Sequence, residues 1–170
     1  MRIRTLSASV RRVRNSWLVP RLREKLIVRH KPADLYELVR DIQQYPNFIK
    51  WIQSLTVSNE RIEEDLYKCT GTAFVGFRGF EERFSTHVVG DPDKCQIDVS
   101  LDRGPFRHLR NQWRFEQMSD GQTAIHFLID YEFRNPVLRM LAKANTRLAV
   151  DRIMASFMSE ADRRYGKPSS

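Results

Sequence analysis

The sequence has no long apolar run, few cysteines and no cluster of metal-ligating side chains. No stretch approaches the roughly 20 apolar residues that a membrane-spanning helix requires, so no such helix is expected. Cys69 and Cys95 have neither CxxC spacing nor a secretory signal nearby, which favours two reduced thiols in an intracellular protein. A metal site is not expected, because the histidines are scattered without ligand spacing: His30, His87, His108 and His126.

Motifs of catalysis are also missing. The sequence contains no nucleophile elbow, no phosphate-binding loop and no paired metal ligands. It offers no evident pair of side chains for general acid–base catalysis. These absences favour a binding protein over an enzyme, with no cofactor and no catalytic residue expected.

Acidic residues are absent from the first 23 positions, which hold seven arginines. Removing these seven from the 29 basic residues leaves 22 against 21 acidic ones, so the chain behind this segment is nearly neutral. That balance argues against a broad nucleic-acid footprint, and no specific DNA binding is expected. The basic character therefore belongs to a tail, predicted over residues 1–21.

The tail carries apolar residues at helical spacing among its arginines. Leu6, Val10, Val13 and Trp17 lie at i, i+4, i+7 and i+11, which places them on one helical face. A basic amphipathic segment is typical of a membrane-surface helix or an organelle transit peptide. A disordered extension is the alternative, and the pattern alone leaves these interpretations open.

The segment 135–165 predicts one long closing helix. Asn135 can cap it, Pro136 suits its first turn, and no glycine or proline follows until Gly166. A helix of roughly 30 residues is about 45 Å long. It has two apolar faces: Val137, Leu141, Ala144 and Leu148 in its first half, and Val150, Met154, Phe157 and Ala161 in its second. We expect the second face to pack on a sheet and the first to face a cavity, a lipid or a partner.

The rest of the chain predicts seven strands and two short helices. Strands are expected at 22–30, 54–61, 66–77, 80–89, 96–102, 106–117 and 123–133. A helix opening at 31–34 and a short helix or turn at 47–52 lie between the first two. This order predicts an α+β fold, with a curved antiparallel sheet around the long helix. The domain is expected over 22–166, followed by a C-terminal tail at 167–170.

Three polar residues share the parity of large apolar neighbours on the predicted strands. Glu82 and Thr86 alternate with Phe84, and Asn111 lies between Leu109 and Trp113. Such side chains could orient an oxygen atom of a ligand. They could equally reach water near a strand end, and the sequence leaves both interpretations open.

Several stretches carry a family resemblance. They are residues 45–51 (YPNFIKW), 104–115 (GPFRHLRNQWRF), 82–86 (ERFST), 131–136 (YEFRNP) and the closing helix. From about Leu22 to Gly166 the chain resembles the Coq10/RatA family, a ubiquinone-binding branch of the START-like superfamily (polyketide cyclase/dehydrase, SRPBCC). Two positions depart from that family's pattern: Lys50-Trp51-Ile52 replaces a usual Pro-Trp-Cys, and Lys31 replaces a frequent serine.

The resemblance implies a helix-grip fold with an apolar tunnel. It also implies that the protein binds ubiquinone, or a polyprenyl quinone precursor, as a carrier or chaperone that supports respiratory electron transport and ubiquinone biosynthesis. The expected tunnel residues are large and apolar, with one alanine for room: Phe48, Trp51, Phe74, Phe84, Phe106, Trp113, Leu141, Ala144 and Leu148.

Bacterial relatives of this family have a ribosome-associated, translation-blocking role, so a toxin of the RatA type is the alternative function. The setting also stays open. One possibility is the bacterial cytoplasm, with the tail at the inner face of the inner membrane. The other is the matrix side of the mitochondrial inner membrane, with residues 1–20 as a transit peptide.

Overall fold

The computed structural model describes residues 21–77 and 79–167. The predicted basic tail, apart from Arg21, lies outside the described residues, as do positions 168–170 of the C-terminal tail. The strands are β1 (Arg21–Val28), β2 (Ile52–Glu63), β3 (Leu66–Phe77), β4 (Phe80–Asp91), β5 (Gln96–Arg103), β6 (Phe106–Gln117) and β7 (Thr123–Phe133). The helices are α1 (Pro32–Arg40), a 3-10 turn (Ile42–Gln44), α2 (Tyr45–Phe48) and α3 (Pro136–Tyr165).

The seven strands form one sheet in the order β1-β7-β6-β5-β4-β3-β2, and every neighbouring pair is antiparallel. Short turns join β2 through β7 in sequence, while β1 pairs with β7 and so brings the two ends of the domain together. The predicted α+β architecture, a curved seven-stranded sheet with a long C-terminal helix, is confirmed.

Several predicted boundaries shift by a few residues. The strand predicted at 22–30 runs from Arg21 to Val28, and β2 starts at Ile52 and not at Ser54. The short helix predicted at 47–52 begins two residues earlier, at Tyr45, because Pro46 lies in the first turn of α2 and does not end the preceding helix. Proline lacks an N–H, and in a first helical turn that donor has no intrahelical partner to lose.

The second half of α3 packs on the sheet. Val150, Met154, Phe157 and Ala161 are all buried, which confirms the stripe predicted for this half. The Phe157 ring lies 4.9 Å from that of Trp113 on β6, at an edge-to-face angle. This end of the helix is therefore anchored in the hydrophobic core.

The buried Glu160 carboxylate binds Arg164, and Arg164 in turn links the C-terminal end of α3 to the end of α1. Glu160 accepts hydrogen bonds from Arg163 (2.7 and 2.8 Å) and from Arg164 Nε (2.7 Å). Arg164 Nη1 also lies 3.1 Å from Asp41, the residue that follows α1. The hydrogen bonds from Arg163 and Arg164 lower the pKa of Glu160 from 4.5 to about 2, against the opposing effect of its burial.

Glu160 should make the fold acid-sensitive. Because its pKa is lower in the folded state, its stabilising contribution is complete above pH 4.5 and is lost as the pH falls towards 2. We expect Glu160→Gln to reduce the free energy of unfolding by about 2 kcal/mol at neutral pH and to flatten its decline between those pH values. Urea unfolding followed by circular dichroism across that range measures both effects. Glu81→Gln, at an exposed position, serves as the control and should leave the curve unchanged; an equal loss in both variants would contradict the assignment.

Candidate functional site

A cavity lies between α3 and the concave face of the sheet, and it consists of two chambers. The outer chamber lies under the first half of α3 and has a volume of about 250 Å³. The inner chamber lies between the sheet and the helices α1 and α2, with a volume of about 230 Å³. The chambers adjoin, because six residues line both: Trp51, Val75, Phe84, Leu109, Ile129 and Ile153.

One strip of α3 forms the helical wall of the outer chamber. Its residues alternate at spacings of three and one along the helix: Leu138, Leu141, Ala142, Asn145, Thr146, Ala149, Val150 and Ile153. Side chains at such spacing share one helical face. The opposite wall comes from the sheet, with the aromatic rings of Phe84, Phe106, Tyr131 and Phe133.

A tight turn supports the Phe84 wall. Gly104, between β5 and β6, has φ +144°, a value that favours glycine. A Cβ atom at this position would lie only 2.4 Å from Cβ of Phe84. Glycine is therefore required at 104 for the turn to approach this part of the cavity wall.

Five of the nine residues expected at the tunnel line the cavity. Trp51 and Phe84 line both chambers, Phe106 and Leu141 the outer one, and Trp113 the inner one. Contact between these side chains and a ligand stays a prediction.

The other four lie elsewhere in the described structure. Phe48 packs edge-on against Phe157, at 5.2 Å, and lines a shallow surface pocket. Phe74 points to the outer side of β3, because its neighbours Ala73 and Val75 face the inner chamber. Ala144 is exposed and Leu148 is half-buried beside the strip, outside both chambers. The expectation that these four side chains face the cavity is wrong.

The error on α3 has a physical cause. The wall includes Asn145 and Thr146, whose polar character shifted the apparent apolar face towards Ala144. Both polar side chains bond to the preceding helical turn: Asn145 Nδ2 donates to Leu141 O and Thr146 Oγ1 to Ala142 O, each at 2.7 Å. Each bond pairs one hydrogen-bond donor of a polar side chain that faces an apolar space.

Two further hydrogen bonds fix aromatic side chains in the walls. Since the Thr146 hydroxyl donates to a helix carbonyl, it accepts from the Tyr131 hydroxyl at 2.8 Å, and burial raises the pKa of Tyr131. Asn111 lines the inner chamber, where its Oδ1 accepts from Trp113 Nε1 at 2.9 Å. Its Nδ2 donates to Leu128 O at 2.8 Å, so Asn111 positions the indole.

Glu82 and Thr86 both line the cavity. Glu82, half-buried, lies in the outer chamber and Thr86, buried, in the inner one. Apart from these two residues and the bonded groups already described, the walls are aliphatic or aromatic. An apolar ligand gains about 25 cal/mol for each Å² of its surface that such walls remove from water. The geometry therefore suits a largely hydrocarbon ligand with few polar atoms.

The described residues also bear on metal and membrane sites. Within 21–77 and 79–167, no group of three or more histidine, cysteine or acidic residues could hold a metal ion. No helix in the same residues has the length and apolarity needed to cross a membrane.

Known proteins resemble this chain over most of its length. Residues 28–158 match the family described as polyketide cyclase / dehydrase and lipid transport. The chain is 28% identical to the mitochondrial coenzyme Q-binding protein coq10 of Schizosaccharomyces pombe, over 82% of this chain and 85% of that protein. It is 26% identical to the ribosome association toxin RatA of Rickettsia prowazekii, over 79% of this chain and 91% of that protein.

Solved structures show the same fold. An 18 kDa protein of Caulobacter crescentus, determined in solution, superposes with a TM-score of 0.74 at 34% identity, over 86% of this chain and 99% of that one. The Zhui aromatase/cyclase of Streptomyces also reaches 0.74, at 15% identity, over 86% of this chain and 96% of that one. With a cavity between a long helix and a curved sheet, and with a family match over residues 28–158, the chain belongs to the polyketide cyclase/dehydrase and lipid-transport family of START-like proteins.

Proposed function

We propose that this protein binds ubiquinone, or a closely related polyprenyl quinone, in the cavity under α3 and carries it without transforming it. The observation that supports this most is the shape and polarity of the cavity. Its two adjoining chambers have almost entirely apolar walls, and together they offer a continuous apolar space for a prenyl chain, along α3 in the outer chamber and under α1 and α2 in the inner one. A relative over most of the chain is named for binding coenzyme Q.

The same walls argue for carriage over catalysis. In the described residues, the titratable side chains that line the two chambers are Glu82, Tyr45 and Tyr131, and these do not form an acid–base pair with each other. The Tyr131 hydroxyl is bonded to Thr146, and the Tyr45 hydroxyl donates to Val39 O. Burial raises the pKa of both phenols, so they stay protonated near neutral pH and are weak proton donors.

Mass spectrometry of lipid extracted from the purified protein tests the proposal. We expect a polyprenyl quinone in near-stoichiometric amount, with the ultraviolet spectrum of a benzoquinone. A cavity that carries only phospholipid or fatty acid, and that does not take up added ubiquinone, would refute the quinone assignment.

A second function, ribosome association, is supported by the outer face of the sheet. Basic side chains from β1 and β6 lie together there: Arg21, Arg23, Lys25, Arg110 and Arg114. Such a group could contact phosphates, and one relative is named as a ribosome association toxin. Co-sedimentation with ribosomes that is lost at high salt, and lost in an Arg110→Glu/Arg114→Glu variant, would favour this function. Retention of bound quinone in that variant would show that the two functions are separate.

A membrane surface is the proposed site of exchange, in either a bacterial or a mitochondrial setting. Val137 and Met140 at the start of α3 are 57% and 66% exposed, and they lie close in sequence to the basic Arg139 and Lys143. Apolar and basic side chains together suit an anionic lipid surface. The basic tail predicted from the sequence would add to this attraction.

Deletion of residues 1–20 should weaken binding to anionic vesicles at least ten-fold. Each arginine near such a surface contributes about 1 kcal/mol, and the deleted segment carries five. Because β1 starts at Arg21, the deletion leaves every described strand and helix intact, and the thermal midpoint should stay within a few degrees. Vesicle flotation measures the binding, with zwitterionic vesicles as the control. Equal flotation of the full and shortened chains on anionic vesicles would remove the membrane role of the tail.

A further inference from the structure

Glu82 is an unusual residue for the wall of an apolar chamber. It lies on β4, two residues before Phe84, and its half-buried side chain faces the outer chamber. Among the residues that the structure describes, its carboxylate has no hydrogen-bond or ion-pair partner. Partial removal of a carboxylate from water is unfavourable unless another group supplies hydrogen bonds. The side chain is therefore free to bond to something within the chamber.

Three other polar side chains of the outer chamber make hydrogen bonds within the protein. Thr146 donates to Ala142 O, Tyr131 donates to Thr146, and Asn145 donates to Leu141 O. The hydroxyl hydrogens are therefore used within the protein. Among the described residues that line this chamber, Glu82 carries the one carboxylate, which is a strong hydrogen-bond acceptor. A ligand that donates a hydrogen bond fits this arrangement better than one that only accepts.

Aromatic side chains surround the same position. Phe84 and Phe106 lie edge-to-face with ring centroids 5.3 Å apart, and Trp51 lines the same chamber. Flat walls of this kind suit a planar ring. The outer chamber thus combines a place for a ring with a hydrogen-bond acceptor beside it, while the inner chamber has room for an apolar chain.

We infer that Glu82 accepts a hydrogen bond from a hydroxyl group of the ligand ring, so that the cavity prefers a hydroquinone to the corresponding quinone. This inference rests on the proposed function, since it concerns the same ligand class. An ionised carboxylate accepts hydrogen bonds and donates none. The ring oxygens of a quinone are also acceptors and face the carboxylate unfavourably, whereas the two hydroxyl groups of the hydroquinone are donors.

The test compares the two redox forms of one short-chain analogue, decylubiquinone. Binding is followed by quenching of tryptophan fluorescence, under argon, with the reduced form prepared by dithionite and the excess reductant removed. We expect wild-type protein to bind the reduced form at least ten-fold more tightly, since hydrogen bonds to charged groups have effects of this size or larger. A ten-fold preference raises the midpoint potential of the bound two-electron couple by about 30 mV.

Three variants assign this preference to Glu82. Glu82→Gln adds a donor and should bring the two affinities within about two-fold or reverse their order. Glu82→Leu removes the acceptor without adding a donor, and should lose the preference while keeping or raising the melting temperature. Glu81→Gln is the matched control: Glu81 is exposed on the same strand with the opposite parity, so the preference should persist.

The outcomes separate the inference from the proposed function. Equal wild-type affinity for the two forms would overturn the role of Glu82 and leave quinone binding intact. A preference that survives in both Glu82→Gln and Glu82→Leu would also overturn it. If neither form binds to wild-type protein, the proposed function itself fails, and the inference fails with it.

Discussion

Ala149→Trp should empty the cavity of quinone while the protein stays folded. Ala149 lies on the strip of α3 that lines the outer chamber, one turn before Ile153, which lines both chambers. An indole at this position would enter a space of about 250 Å³ and fill much of it. Because that space already exists, the ring causes less overpacking than in a filled core, where the usual cost is ~1–3 kcal/mol. We expect quinone per mole of purified protein to fall at least ten-fold, with a melting temperature within a few degrees.

Ala144→Trp is the matched control for this substitution. It makes the same change of side chain on the same helix, but Ala144 is exposed and lies outside both chambers. Quinone content and melting temperature should therefore match the wild type. If Ala144→Trp excludes the quinone and Ala149→Trp does not, the ligand lies on a different face of α3 from the cavity.

Trp113→Ala should cause the largest loss of stability. The indole is only 4% exposed and contacts the rings of Phe127 (4.6 Å) and Phe157 (4.9 Å). Its removal also leaves Asn111 Oδ1 without its donor. Large-to-small changes of buried aromatic residues reduce the free energy of unfolding by about 3–5 kcal/mol. For a domain of this size, the melting temperature should fall by roughly 10 °C.

Trp113 also lines the inner chamber, so its loss has a second consequence. Removal of the indole takes away a wall that an isoprenoid chain in the inner chamber would contact. Binding of long-chain quinones should therefore weaken more than that of short-chain analogues. Phe74→Ala, an aromatic truncation on the outer side of the sheet, is the control and should lower stability by less than half as much. Calorimetry and ligand titration measure the two effects. A loss below about 1 kcal/mol for Trp113→Ala would contradict its place in the core.

The sequence predicts the strands well because one face of the sheet is exposed to solvent and the other packs on the core. Alternating apolar and polar residues set both the extent of β6 and β7 and the inward direction of Trp113. The second half of α3 was equally predictable, since its stripe packs on a filled core. The family motifs identified the fold independently, and that resemblance is confirmed by the match over residues 28–158.

The cavity wall on α3 is harder to predict from the sequence, because several of its side chains are small or polar. A wall that faces an open space need not consist of large apolar residues, and this one contains Ala142, Asn145, Thr146 and Ala149. Periodicity detects packed faces, and it does not distinguish a lining of small and polar side chains from a solvent-facing one. The size of Phe74 favours an inward side chain, but the parity of Ala73 and Val75, which face the inner chamber, places it on the outer side of the sheet.

The N-terminal third of α3, residues 136–145, makes fewer buried contacts than the rest of the helix. Within 136–145, all described, no side chain is buried, whereas all six buried side chains of the helix lie between Thr146 and Ala161. Segments with few buried contacts open locally at a lower free energy than the whole domain requires to unfold. We therefore expect residues 136–145 to lift from the outer chamber more readily than the rest of the helix, which stays in the core. If the proposed function holds, we expect the rate of ligand release to depend on the fraying of these roughly three helical turns.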